Sequence, residues 1–175
     1  MEVSKHLRSP QGLHWIAQMR DTSAILGAAV RIMHPSLYFS GLQATRAIHD
    51  RRISVEKSDG LEDILKYWAS PFTGLSLMNN RQTPLHRDSL GCYEWMDLLA
   101  TVGPYTKGIL ELPGLGLEFE YGPGTVVGVS GRAIRHGARS NGERLCFAYY
   151  MRENVTKAHG LRAEFANIAD IGRGI

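Results

Sequence analysis

Residues 108–131 read GILELPGLGLEFEYGPGTVVGVSG. Three short runs, at 108–112, 117–121 and 125–129, are rich in β-branched, aromatic or alternating apolar residues, and PGLG and GPG separate them. Proline with its fixed φ and glycine with its free one are what tight turns need, so the stretch predicts consecutive antiparallel strands. The same texture continues on either side. Further strands are expected near 73–79, 93–102, 133–137 and 144–152, with GPYTKG (103–108) and SNGE (140–143) as turns.

Before Ser70 the period is helical. LHWIAQMRDTSAILGAAVRIM (13–33) places Trp15, Ile16, Met19, Ile25, Leu26 and Val30 at broadly helical spacing, DTS offers a cap for a second helix, and Pro35 closes the segment. LYFSGLQATRAIHDRR (37–52) and LEDILKYW (61–68), the latter behind a capping-type SDG, read as further helices. The expected fold is therefore α+β. A double-stranded β-helix core (a cupin-like jelly roll) spans 71–155, a mainly helical lead-in (1–70) packs on one sheet, and 156–175 form a tail. At 175 residues the chain is expected to be one domain.

Two cysteines, Cys92 and Cys146, sit in apolar runs, as buried thiols in a reducing compartment would. No apolar stretch approaches a membrane span, and MEVSKHLRSP lacks the apolar region of a signal peptide, so an intracellular location is expected. A formal net charge of +3 is a mild bias towards polyanions, and most surfaces with such a balance are simply soluble. Arg51 adjoins Arg52, and Arg132, Arg135, Arg139 and Arg144 cluster.

TPLHRDSLG (83–91) carries His86 and Asp88 two positions apart. On a strand, residues i and i+2 share a face, so an imidazole and a carboxylate can reach one ion while Arg87 points away. Alone, such a pair is more often a solvated strand end. His136, in IRHG on an expected late strand, is the best third ligand, because histidines 6, 14, 34, 49 and 159 fall in helix, loop or tail. Two histidines and one carboxylate leave half of an octahedron open, the arrangement non-haem Fe(II) uses. Arg144 begins the strongest strand, RLCFAYYM, with the small apolar Cys146 and Ala148 on its face. If the strands of His136 and Arg144 are neighbours, an inward guanidinium below the metal can grip a carboxylate with two parallel hydrogen bonds.

Taken in order, NNRQTPLHRD, GILELPGLGLEFEYGPGTVVGVSG, IRHGARSNGER and LCFAYYM resemble the Fe(II)/2-oxoglutarate-dependent dioxygenases, and within them the TET/J-binding-protein group, compact fungal members above all. The likeness covers 70–155 well and the helical lead-in more loosely. It implies iron ligands at His86, Asp88 and His136, and Arg144 on the distal carboxylate of 2-oxoglutarate. Arg81 would hold the cosubstrate's carboxylate near the metal, and Asn79 or Asn80 would add a hydrogen bond. Molecular oxygen is the implied co-substrate. The implied partner is DNA carrying a methylated base, 5-methylcytosine first, with N6-methyladenine or thymine as alternatives, and the implied location is the nucleus.

Flipping a base out of a duplex needs phosphate anchors and a stacking surface. Arg87, Arg152 and Lys157, with Arg132, Arg135 and Arg139, are the candidate phosphate contacts, and Tyr93, Trp95, Tyr149 or Tyr150 could stack. Two positions depart from the family pattern. Gly91 stands where some members place an acidic residue that reads the base, and Arg152 where a base-contacting histidine occurs. A 2-oxoglutarate oxygenase of a small molecule or protein side chain is the competing enzyme, and a jelly-roll binding module without catalysis the competing class. The tail is read with a short helix at LRAEFANIA (161–169).

Overall fold

The computed structural model describes residues 3–50, 60–158, 160 and 164–167. Arg51, Arg52, His159 and the SDG cap apart from Gly60 lie outside the described residues, as does most of the expected tail helix; residues 164–167 form neither helix nor strand. The chain divides into two compact units, Met1–Thr73 with Asn154–Ile175, and Gly74–Glu153. The second nearly coincides with the expected jelly-roll core.

In the first unit the helices are α1 (Pro10–Gln18), α2 (Arg20–Met33), α3 (Pro35–His49) and α4 (Leu61–Leu65), joined by α5 (Glu153–Ala158) from Asn154 onward. Ser9 caps α1 by accepting from the Gly12 N–H, with Pro10 in the first turn, where no backbone donor is missed. DTS lies inside the first turn of α2 rather than capping it, because the break falls at Met19. Pro35 ends one helix and begins the next: the His34 imidazole accepts from the Leu37 N–H, and proline suits the first helical position. Val3, Ala44, Ile48, Leu61, Ile64 and Val155 make this unit's core. No helix among the described residues is long and apolar enough to cross a membrane.

The second unit holds eight strands: β1 (Gly74–Asn79), β2 (Thr83–His86), β3 (Asp97–Val102), β4 (Tyr105–Leu112), β5 (Leu117–Glu120), β6 (Val126–Val129), β7 (His136–Gly142) and β8 (Leu145–Tyr150). They form two four-stranded antiparallel sheets, ordered β1-β8-β3-β6 and β2-β7-β4-β5. The first strand pairs with the eighth, the second with the seventh, the third with the sixth and the fourth with the fifth. One long hairpin is thus folded over on itself, which is the jelly roll the turn pattern predicts. Leu110, Leu112 and Ala138 from one sheet pack with Val129 and Leu99 from the other, so the apolar core lies between them.

Four expectations are corrected. Residues 133–135 are turn, held by the Ser130 carbonyl accepting from the Ala133 and Ile134 N–H groups, so the expected strand 133–137 instead starts at His136 and runs to Gly142. SNGE is accordingly mostly strand. GPYTKG is mainly β4, whose register shifts between Thr106 and Ile109 around Lys107 at φ 51°. Finally, β7 and β8 are not neighbours but members of opposite sheets.

Candidate active site

His86 ends β2 and His136 begins β7, and the register sets them directly opposite each other. Their rings lie 4.4 Å apart, centroid to centroid, tilted by 51°. Each Nδ1 faces a backbone carbonyl, Pro84 O at 2.9 Å and Ile134 O at 3.0 Å. A carbonyl only accepts, so Nδ1 is the donating nitrogen in both rings and Nε2 is the one turned away from the backbone. Both Nε2 atoms turn to Asp88, at 3.4 Å from Oδ1 for His86 and 4.0 Å from Oδ2 for His136. The donor atoms of all three side chains fall within 4.8 Å of one another.

Asp88 lies just beyond β2, so a different device holds it. Its N–H donates to Gly131 O at 2.9 Å, while Arg132 donates to the carbonyls of Asp88 and Ser89 at 3.4 and 2.9 Å. A Cβ on Gly131 would stand 2.0 Å from Asp88 Oδ2 and 3.0 Å from Asp97 Oδ2, so only glycine lets the carboxylate lie there. Asp97, at the start of β3, is pushed up to about 7 by burial and by the neighbouring Asp88, with which it shares a hydrogen bond.

The cavity that these three side chains line is also lined by Arg144, the residue just before β8 of the other sheet. Its side chain is 3% exposed, and no carboxylate among the described residues pairs with it. Nη2 donates to Arg81 O at 2.6 Å, the guanidinium lies 5.7 Å from the centre of the Tyr121 ring, and Nε has no partner. A buried arginine with an idle donor calls for an anion. Asn80, at φ 52°, holds this residue's backbone: Oδ1 accepts from the Arg144 N–H at 2.8 Å, and its own N–H donates to Arg144 O at 2.7 Å. Of the two asparagines, Asn80 is therefore the one tied to Arg144, through the backbone and outside the cavity wall.

His86, Asp88, His136 and Arg144 line one cavity of about 430 Å³. Arg81, Gly91, Asp97, Tyr121, Tyr150 and Arg152 also face it, and so do Cys146 and Ala148, as their alternation with Arg144 predicts. Arg152 donates to the Tyr150 hydroxyl at 3.2 Å and lies 5.2 Å from the centre of its ring. Arg132 sits likewise 5.3 Å from the centre of the exposed Tyr93 ring. Trp95 and Tyr149 are buried, which removes them as base-stacking surfaces. Arg87 is exposed and absent from the cavity wall, and Lys157 is exposed on α5 in the other unit. Neither cysteine is in a disulfide; Cys146 is buried and Cys92 only partly so.

Reading the sequence missed Asp97, Tyr121 and Gly131. Only Tyr121 left a signal, since it shares the alternation of Leu117 and Phe119 in LEFEY.

A nested eight-stranded jelly roll, two imidazoles and a carboxylate converging with open room beside them, and an unpaired buried arginine facing them together define a class, the non-haem iron oxygenases that use a dicarboxylate cosubstrate. The chain belongs to the Tet_JBP family, the oxygenase domain of the 2OGFeDO superfamily, which it matches over residues 6–153. It is an Fe(II)/2-oxoglutarate-dependent dioxygenase, with oxygen as co-substrate. No curated protein matches the chain.

Proposed function

We propose that His86, Asp88 and His136 hold Fe(II), that Arg144 with Arg81 holds 2-oxoglutarate, and that the substrate is a methylated base in DNA, 5-methylcytosine first. The observation that carries the reading is the placement of the three converging donors and the unpaired Arg144 in one cavity. When bound, the metal and cosubstrate supply the oxidising power: 2-oxoglutarate and O2 become succinate and CO2, with one oxygen atom entering a substrate C–H bond.

The chain's own residues do the rest. The two Nδ1–carbonyl bonds fix both imidazoles with Nε2 forward, which keeps the ligand geometry ready before any ion arrives. Arg144 anchors the far carboxylate of the cosubstrate and so orients its other end towards the donors. Met78, Leu99, Leu110 and Met151 give the cavity apolar walls that exclude water from the reacting carbon. At the cavity, Tyr150 offers a ring face and Arg152 a cation, the two groups an extruded nucleotide needs for stacking and for phosphate. The methyl group of 5-methylcytosine becomes hydroxymethyl, and further turnovers give more oxidised forms.

Mass spectrometry of nucleosides tests this, after the protein with Fe(II), 2-oxoglutarate and ascorbate has acted on DNAs carrying each methylated base. 5-Hydroxymethylcytosine is the expected product. Oxidation confined to N6-methyladenine or thymine would change the base, and no oxidised nucleoside at all would move the substrate to a small molecule or a protein side chain.

A further inference from the structure

A strand at the edge of a sheet leaves one side of its backbone unpaired, and folded proteins usually cover that side or charge it. The two sheets end in β1, β2, β5 and β6, and of these four only β5, LEFE, carries carboxylates. All four of its residues are exposed. Leu117 and Phe119 stand opposite Leu112 and Leu110 of β4, both buried between the sheets, so they share the inward face. They nevertheless stay 44% and 47% exposed, and Leu115, two residues earlier, is 55% exposed. Glu118 and Glu120 take the outward face by alternation. The rim of the sandwich therefore presents an apolar strip on one side of β5 and two carboxylates on the other.

The backbone adds to this. Tyr121 N–H donates to Gly108 O at 2.8 Å. In an antiparallel ladder, opposed pairs alternate between bonded and non-bonded, so Phe119 and Leu117 turn their N–H and C=O groups to β4 while Glu118 and Glu120 turn theirs outward. Each glutamate thus offers a donor, an acceptor and a negative charge along one open edge. Glu118 Oε2 meets Arg139 Nη2 at 3.5 Å, an exposed pair that leaves the other oxygen to a second cation. A second copy of the chain fits this edge badly, because any register that matches apolar to apolar also sets glutamate against glutamate. We infer that β5 is a docking edge for an extended segment of another protein that alternates basic with apolar residues. The added strand places its lysines or arginines opposite Glu118 and Glu120 and its apolar residue beside Phe119.

The probe is a fluorescein-labelled nonapeptide alternating lysine with valine, titrated with the full chain and read by anisotropy at low and high salt. Because the chain's formal net charge is +3, a basic peptide has no general attraction to it, and binding that weakens with salt is expected from the local carboxylates. Two methylated forms of equal charge separate strand pairing from plain attraction. Methyl groups on the lysine backbone nitrogens, which face β5 when lysine lies opposite glutamate, should weaken binding about tenfold or more, and methyl groups on the valine backbone nitrogens, which face away, should leave it within about twofold. Glu118→Lys combined with Glu120→Lys should also weaken binding about tenfold or more, while the thermal midpoint moves by no more than about 4 °C. Failure of the unmodified peptide to bind, equal affinity for the two methylated peptides, or undiminished binding to the doubly substituted chain overturns the inference. A dimer of the chain alone in sedimentation that the unmodified peptide dissociates overturns it too, and gives the edge to a second copy.

Discussion

Gly131 has no side chain to contribute, and its emptiness is what admits Asp88. An alanine there fits the backbone but meets the far end of a movable carboxylate, so the fold should survive while the ligand is turned aside. Gly131→Ala is expected to shift the thermal midpoint by no more than about 2 °C and to weaken divalent-metal binding about 10- to 100-fold, read by titration with Mn(II). Alanine at His86, Asp88 or His136 should abolish turnover in the nucleoside assay, whereas Arg144→Ala should mainly raise the KM for 2-oxoglutarate. Asp97 adds a pH dependence. Its folded value, raised from 3.8 to about 7, means the metal-free native state binds more protons than the unfolded one between those limits. The contribution of Asp97 to stability is therefore full below the unfolded value and is lost as pH climbs through the folded one, which a comparison of urea midpoints for wild type and Asp97→Asn in chelator from pH 4 to 8 would show. At this scale the cavity positions of His86 and Arg144 were legible from strand patterning, whereas Asp88, named from strand spacing, lies beyond β2 and is placed by Gly131 instead. Asp97 and Gly131 were not, since their meaning depends on how close Asp88 comes.

Among the elements, the strands with β-branched or aromatic texture, β3, β5, β6 and β8, could be read from composition, though β3 starts later than expected. β7 could not. HGARSNG has no β-branched residue and two glycines, and it becomes a strand because β2 and β4 pair with it on both sides. The same pairing sets His136 opposite His86, so the element least visible in the sequence completes the candidate metal-binding set. Arg144 was expected on a neighbouring strand and instead faces the histidines from the opposite sheet, a relation no spacing encodes. The link between β1 and β8 gives its own test. Asn80 spends a left-handed backbone and a side-chain hydrogen bond on Arg144, and Asn80→Ala loses both. A destabilisation of about 2 kcal/mol is expected, lowering the thermal midpoint by about 5 °C, with a weaker grip on 2-oxoglutarate as Arg144 loosens.

For the molecule as a whole, the proposed DNA substrate would have to be engaged by a chain with only a mild positive charge. Arg152 over Tyr150, in the wall of the cavity, is where a local cation would matter most. Arg152→Ala should lower DNA affinity at all sequences and reduce the slope of log affinity against log salt by about 0.9, the signature of one lost phosphate contact, measurable by fluorescence anisotropy across a salt series. The nesting of the strands carries a further consequence for biosynthesis. Because Gly74 pairs with Tyr150, the outermost rung closes only when nearly the whole barrel has left the ribosome. Until then β1 is an open edge awaiting its mate, so slow translation late in the message should leave nascent chains dependent on chaperones, and the oxygenase centre assembles last.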